Sequence, residues 1–246
     1  YRMDPDVPLI VPEVNPQDIT KHHGIIANPN CSTIIMVMAL KPIYDLARIK
    51  RIIVSTYQAA SGAGKDGLDE LENQIKQAAR GKEMTAKIFP SASAKKHFPL
   101  ALNLVPQIDI FLDNLYTKEE MKMVNETKKI FSDPEMRITA TTVRVPVYRS
   151  HSESVNVELE HDVELEDIRK ALAGFPGVVL QDDPSQQIYP MPLYTSGKND
   201  VYVGRLRRDE SAANSFNFWC VGDQIRKGAA LNTLQIAETM VKNGWL

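Results

Sequence analysis

Cys31 follows a tight Asn28-Pro29-Asn30 turn and precedes a strongly apolar stretch that runs to Leu46. Asn30 or Ser32 can cap a helix there, so the pattern predicts a buried helix over Ser32–Ala47 with the thiol at its start. Unpaired amides and the helix dipole favour an anion at that place, which predicts a depressed thiol pKa and a reactive cysteine. A small buried hydrophobe at a helix start is an equally good reading of position alone. Cys220, inside the apolar run Phe216–Val221, reads as packing. A thiolate nucleophile needs an acid or base. Of five histidines, His22 and His23 share a surface turn, His97 follows two lysines, and His161 sits among acidic residues. His151, in the turn RSHSES between two expected strands, is a reasonable place to present an imidazole to a cleft. Residue type alone does not choose among the five.

The loop Ser61-Gly62-Ala63-Gly64-Lys65 invites a phosphate-cradle reading. The Walker spacing fails, with Ala59 where Gly is required and Asp66 in place of Ser or Thr. No G-x-G-x-x-G occurs anywhere in the chain. A flexible strand-to-helix connection explains the loop as well. On their own, Glu119 and Lys122 are an ordinary solvated i,i+3 pair, and Arg144 is a surface charge on a strand.

The elements that must position these residues follow from pattern. Val7–Val14 and Gly24–Ala27 read as short strands, the first interrupted by prolines. Arg51–Tyr57 is β-branched and strand-like. Leu68, Leu71, Ile75 and Ala79 recur at helical spacing, and Gly81 closes that helix. Asp109–Tyr116 reads as a strand or loop edge. Thr117 caps the next helix, with Glu120 at the capping-box position. Ile138–Val147 and Ser154–Leu159 read as strands joined by a turn, and Glu164–Ala173 as a helix. Asp200–Arg208 and Ser215–Val221 read as an antiparallel pair, and Ile225–Lys242 as a last helix. The mixture lacks strict β-α alternation, which places the chain in the α+β class.

The 246 residues carry 29 Lys+Arg against 31 Asp+Glu, and this near-neutral balance argues against a nucleic-acid surface. The apolar run Ile34–Leu40 is too short for a membrane span. Two cysteines without a C-x-x-C exclude a disulfide framework or a Cys-rich zinc module. A reducing, cytoplasmic setting is expected, and no metal site is. The chain starts at Tyr1 rather than Met, and it reads as cut from something longer.

Taken in order, the segments NPNCSTIIMVMALKPI, IIVSTYQAASGAGKDGLDEL, PQID, EEMKMVNETKKI, TTVRVPVYRSHSESV and GRLRRD resemble the aspartate-semialdehyde dehydrogenases of the bacterial branch. These are phosphorylating aldehyde dehydrogenases related in fold to glyceraldehyde-3-phosphate dehydrogenase. The spacing fits, with Gln58 27 residues after Cys31 and His151 seven after Arg144. The resemblance implies Cys31 as nucleophile, His151 as general acid/base and Gln58 as the residue that orients substrate beside the thiol. It implies that Arg144 grips the substrate α-carboxylate and that Glu119 meets its ammonium. Lys122 and Arg2 match phosphate ligands, and Asn30 a residue that helps hold phosphate or the oxyanion. Ser61, Gly62 and Gln224 match cofactor contacts.

The same resemblance implies NADPH-dependent reduction of L-aspartyl 4-phosphate to L-aspartate 4-semialdehyde with release of phosphate. That step serves lysine (by way of diaminopimelate), methionine and threonine biosynthesis. It implies a mixed-sheet catalytic and dimerisation domain over 31–222. Remnants of a Rossmann domain are expected at both ends: residues 1–30 as its tail, and 223–246 as a helix that packs on it. The partners implied are a small-molecule substrate, phosphate and further copies of the chain, as a homodimer or homotetramer, with neither nucleic acid nor membrane. The family's Gly-rich dinucleotide turn is missing here, so this chain is expected to hold NADP(H) only weakly and to be inactive by itself. Two other readings are an inactive dimerisation or substrate-binding fragment, and a cofactor-free cysteine acyltransferase or hydrolase using Cys31 and His151.

Overall fold

The computed structural model describes residues 1–245. Six strands form one mixed sheet: β1 (Ile49–Gln58), β2 (Arg137–Arg144), β3 (His151–Leu159), β4 (Val178–Leu180), β5 (Val201–Arg208) and β6 (Ser215–Gly222). Their spatial order is β2-β1-β3-β6-β5-β4. The β1–β2 and β4–β5 pairs are parallel and the other three antiparallel. The sheet agrees with the α+β expectation. The pairing of neighbours does not: β2 and β3 are not a hairpin, because β1 lies between them and pairs with both. The stretch Val145–Ser150 is therefore a crossing over the end of β1.

One face of the sheet is packed. Helix α1 (Cys31–Leu46) lies across it, and Ile34 through Leu40 are completely buried. A helix that is apolar all round is stable only with neighbours on every side. Here α1 contacts the sheet through β1, β5 and β6, and is flanked by α3 (Lys118–Ile130) and α4 (Leu165–Gly174). The strands supply Ile52, Val54, Val155, Val157, Val203, Phe216 and Phe218 to the same core. Between β1 and α3, α2 (Gly64–Ala79) begins four residues earlier than its apolar spacing predicts, and packs Leu71 against Phe89 and Leu100.

The opposite face is more open. Tyr57, Thr141 and Ser154 are exposed on it, and Ile53 and Ser55 half-buried. The short α5 (Pro192–Thr195) covers only the part beside β6.

The expected strands Val7–Val14 and Gly24–Ala27 reduce to a single bridge between Leu9 and Ala27. Pro8 and Pro12 lack amides, and Asn15 draws the chain into a turn through bonds to the Val11 amide (2.9 Å) and the Leu9 carbonyl (3.0 Å). The last helix differs too. Arg226–Ala230 forms a π-helical turn before α6 (Leu231–Asn243). Ile236 of α6 is buried with Ile10 and Ile19, whereas Ile225, Leu234 and Val241 stay exposed. No helix among the described residues is long and apolar enough to cross a membrane.

Strand β2 is a sheet edge, and its outward amides need partners. Glu120 supplies one. Its carboxylate accepts from the Thr142 amide (2.9 Å) and the Thr117 amide (2.7 Å), which completes the capping box of α3. Glu120→Ala would keep the Thr117 cap but remove the reciprocal half of the capping box and leave the Thr117 and Thr142 amides unpaired. The expected loss is about 2–3 kcal/mol of stability in urea unfolding, and Glu120→Gln is expected to be milder.

Candidate active site

The register of the sheet assembles the site. Gln58 ends β1 directly opposite Arg144, which ends β2. His151 starts β3, one residue beyond the Tyr57–Ser152 pair. With two faces per strand, Gln58, Arg144 and His151 all point to the packed side, where the start of α1 lies. His151 is thus fully buried at a strand start, not in an open turn as its sequence context suggested.

Cys31 is the first residue of α1 and is half-buried. Asn30 caps that helix. Its side-chain oxygen accepts from the Ser32 (3.0 Å) and Thr33 (3.2 Å) amides, and its own amide donates to Glu126 (2.6 Å). Gly228, in the π-helical turn, closes on Cys31 from the other side. A Cβ there would lie 3.1 Å from Cys31 Cβ, so only glycine fits without displacement.

A cavity of about 480 Å3 opens over the thiol. It is lined by Arg2, Asn30, Cys31, Gln58, Gly62, Glu119, Lys122 and Arg144, with Asp109 at its wall. Glu119 is buried and accepts from Asn30 Nδ2 (2.9 Å), Gln58 Nε2 (3.4 Å) and Lys122 Nζ (3.1 Å). Lys122 also meets Asp109 at 3.2 Å. Burial opposes its charge, but Glu119 and Asp109 outweigh that and hold its pKa above the ordinary lysine value. Arg2 reaches the rim and pairs with Glu126 at 3.2 Å.

A single backbone unit, Ala59, sets two of the reactive groups. Its carbonyl accepts from Arg144 Nη1 (2.7 Å) and its amide donates to His151 Nδ1 (3.0 Å). Because Nδ1 accepts, the neutral ring carries its proton on Nε2. Burial and the Arg144 charge push the His151 pKa well below the usual histidine value, so the neutral form persists. Nε2 is buried without a partner, as is Arg144 Nε. Gly62 packs against both, and a Cβ there would come within 2.5 Å of Arg144 Nη1 and 3.2 Å of His151 Nε2. Of the residues expected at the cofactor, Gly62 alone lines the cavity. Ser61 and Gln224 lie buried behind it, bonded to each other, and Gln224 Oε1 accepts from the Ser150 amide (3.0 Å).

The depressed thiol pKa expected from the helix start is not what the free site holds. Burial, and then the Glu119 charge, push Cys31 up to about 12. The Arg144 charge and the Ser32 bonds act downward and lose. A helix N-terminus favours an anion, but not against desolvation and a facing carboxylate. Cys220 is a core residue as expected, donating weakly to the buried Glu153 (3.6 Å).

Sequence reasoning missed Glu126, Asp109 and Gly228. Glu126 left a signal, since it falls seven residues after Glu119 and four after Lys122 on one helix face. Asp109 and Gly228 left none, because only the fold brings them to the cavity.

Residues 40–227 match the profile of the semialdehyde dehydrogenase dimerisation domain. An aspartate-semialdehyde dehydrogenase of Bacillus subtilis (strain 168) is 53% identical over 243 residues, covering 98% of this chain and 70% of the relative. That of Aquifex aeolicus (strain VF5) is 52% identical over 246 residues, covering 99% and 71%. The crystal structure of aspartate semialdehyde dehydrogenase II from Vibrio cholerae, complexed with ASA, superposes with a TM-score of 0.92 at 46% identity, over 98% of this chain and 70% of that one. The Candida albicans enzyme, solved with NADP, gives 0.73 at 25% identity, over 100% and 70%.

Removing the charge that holds the thiol up should be visible directly. Glu119→Gln is expected to raise the rate of Cys31 alkylation by iodoacetamide several-fold at pH 8, and to move its pH profile to lower pH. An unchanged profile would mean that burial alone sets the thiol.

Proposed function

The chain belongs to the aspartate-semialdehyde dehydrogenase family, and from that premise we propose which of its residues carry the reaction. The reaction is NADPH-dependent reduction of L-aspartyl 4-phosphate to L-aspartate 4-semialdehyde with release of phosphate, in the biosynthesis of lysine, methionine and threonine. One observation supports the assignment above the others. A single cavity collects a thiol, two carboxylates (Glu119 and Asp109) and three cationic side chains, a net positive complement suited to a zwitterion that carries a phosphate. A cofactor-free cysteine hydrolase would leave Arg2, Lys122 and Glu119 without a task.

Arg144 presents its unpartnered Nε edge to the substrate α-carboxylate, where a planar fork makes two parallel bonds. Glu119 accepts from the substrate ammonium. Arg2 and Lys122 take the phosphate, with Asn30 at the same turn. Binding also prepares the nucleophile. Burial and then the Glu119 charge hold the Cys31 pKa up, and an arriving ammonium would offset the second of these, which moves the thiol toward its reactive form. Cys31 Sγ then bonds to the C4 carbonyl carbon, the carbon–oxygen bond to phosphate breaks, the S–H proton passes to the departing phosphate, and the anion leaves toward Arg2 and Lys122. Gln58, fixed on Glu119, orients the acyl group beside the sulfur.

Gly62 keeps a side-chain-free wall next to His151 and Arg144, which fits a flat ring beside the thiol. Ser61, Gly62 and Gln224 would hold the nicotinamide end of NADP(H), Ser61 and Gln224 after the bond between them opens. The bound cofactor would supply a hydride. His151 keeps a proton at Nε2, aimed into the site, for the oxygen that gains charge at the acyl carbon. These 246 residues contain no G-x-G-x-x-G turn, so we expect them to hold the cofactor weakly unaided.

The matched region is a dimerisation domain, and the family assembles through it. The open sheet face is our assignment for the contact. It presents Ile53, Val143 and the tilted Tyr57–Trp219 ring pair, whose centroids are 5.3 Å apart. We take 31–222 as the catalytic and dimerisation unit. Residues 1–30 and 223–246, which pack on each other through Ile10, Ile19 and Ile236, belong to the cofactor-binding side.

Two measurements test these assignments. Arg144→Lys keeps the charge and loses the fork, so the Kd for the semialdehyde, read by calorimetric titration, should rise about tenfold or more. Unchanged Kd removes Arg144 from the carboxylate. Tyr57→Glu should shift the sedimentation coefficient toward the monomer, whereas an unshifted dimer places the interface elsewhere.

A further inference from the structure

Helix α3 carries four charged residues at spacings of three, four and three: Glu119, Lys122, Glu126 and Lys129. That spacing makes one stripe along one helix face. The first two line the cavity, and the last two do not. Glu126 is nevertheless fully buried, with both carboxylate oxygens engaged. Oε1 accepts from Arg2 Nη1 at 3.2 Å, and Oε2 accepts from the Asn30 amide at 2.6 Å. One carboxylate therefore ties the guanidinium at the cavity rim to the turn that presents Cys31.

Lys129, one turn further along, holds the backbone that carries Arg2. Its ammonium donates to the carbonyls of Arg2 (2.9 Å), Asp4 (2.6 Å) and Val7 (2.8 Å). Three N–H groups meet three acceptors, so the segment from Arg2 to Val7 is gathered around one charge. Segment 1–7 has only two backbone bonds of its own, Asp4 to Tyr1 and Val7 to Asp4, and no strand or helix. Without Lys129 little else fixes its path.

We propose that Glu126 and Lys129 are positioning residues for the phosphate subsite. Lys129 fixes the main chain of the Arg2 segment. Glu126 fixes the guanidinium and, through Asn30, keeps it in one frame with the Cys31 turn. The guanidinium uses Nη1 for Glu126, which leaves its other donors for an anion. A long, partly exposed arginine loses several rotatable bonds' freedom when it grips phosphate, and a tether set beforehand removes that loss from binding. The same carboxylate also repels phosphate, so tether and repulsion act in opposite directions. The proposal is that the tether wins, because Glu126 is already balanced by Arg2 and by the Asn30 amide. It rests on the reading of Arg2 as a phosphate ligand.

The test uses the full chain and inorganic phosphate as the probe. Iodoacetamide labelling of Cys31, followed by mass spectrometry, gives the phosphate concentration that halves the rate. The natural sequence should be protected, and Arg2→Ala should lose most of that protection. Glu126→Gln retains an oxygen for the Asn30 amide but loses the charge that holds Arg2. It and Lys129→Met should each raise the half-protecting concentration about tenfold. Asn125→Ala, exposed on another face of α3, should leave it unchanged. Arg2→Ala combined with Glu126→Gln should be no worse than Arg2→Ala alone, since both act through one guanidinium. A general loosening of the fold would instead make the two losses add and would expose the buried Cys220 to label.

Tighter phosphate binding in Glu126→Gln would show that the carboxylate competes with phosphate, and would overturn the proposal. Unchanged protection in Glu126→Gln and Lys129→Met, with protection lost in Arg2→Ala, would overturn it and leave the phosphate reading standing. Full protection in Arg2→Ala, or none in the natural sequence, would remove the reading and the proposal together.

Discussion

A buried negative charge has to be met by donors, and Glu119 is met by three elements at once. Asn30 comes from the cap of α1, Gln58 from the end of β1, and Lys122 from the next turn of α3. None of these contacts is a large stabilising term alone, because desolvation of the charge offsets much of each. Their consequence is geometric. Each donor that satisfies Glu119 also brings a functional group to the same cavity, so the condition for burying this carboxylate is the assembled site. The charge then reaches the nucleophile, where it adds to burial and holds the thiol high.

The backbone carries the second half of the arrangement. Strand β1 ends at Gln58, and the next residue, Ala59, turns its amide and its carbonyl, in two successive peptide groups, toward side chains. Its carbonyl fixes Arg144 and its amide fixes the tautomer of His151. A side chain in either role could rotate, whereas a peptide group held by a strand cannot. Gly62 then lets the chain turn back over both side chains at van der Waals distance. His151 Nε2 and Arg144 Nε are buried without a partner in the protein.

The two faces of the sheet divide the work. The packed face holds α1 rigidly, which matters because its first residue is the proposed nucleophile and a shift of about 1 Å there would spoil the reacting geometry. The open face keeps an aromatic pair and aliphatic side chains within reach of solvent. Such a surface is suited to pairing with another copy.

Much of this was legible in the residues. The helix after Cys31 shows in the apolar run, its cap in Asn30, the capping box in Thr117 and Glu120, and the β5–β6 pair in alternating patterns. These are local features, set by dihedral preference, periodicity and short-range hydrogen bonds. The place of Arg144, Glu119 and Lys122 in one cavity was expected only through family resemblance, because a charge on a strand or helix looks alike in solvent and in a cavity. What the tertiary structure decided is non-local. It placed β1 between β2 and β3, so that Gln58, Arg144 and His151 meet at one end of the sheet. It turned the proline-broken start of the chain into a loop that Lys129 gathers, and it brought Glu126 beneath Arg2 across 124 residues of sequence. It also reversed the expected thiol shift. The helix start belongs to the sequence, but desolvation and the facing Glu119 belong to the fold, and at close range in a low dielectric they outweigh a dipole.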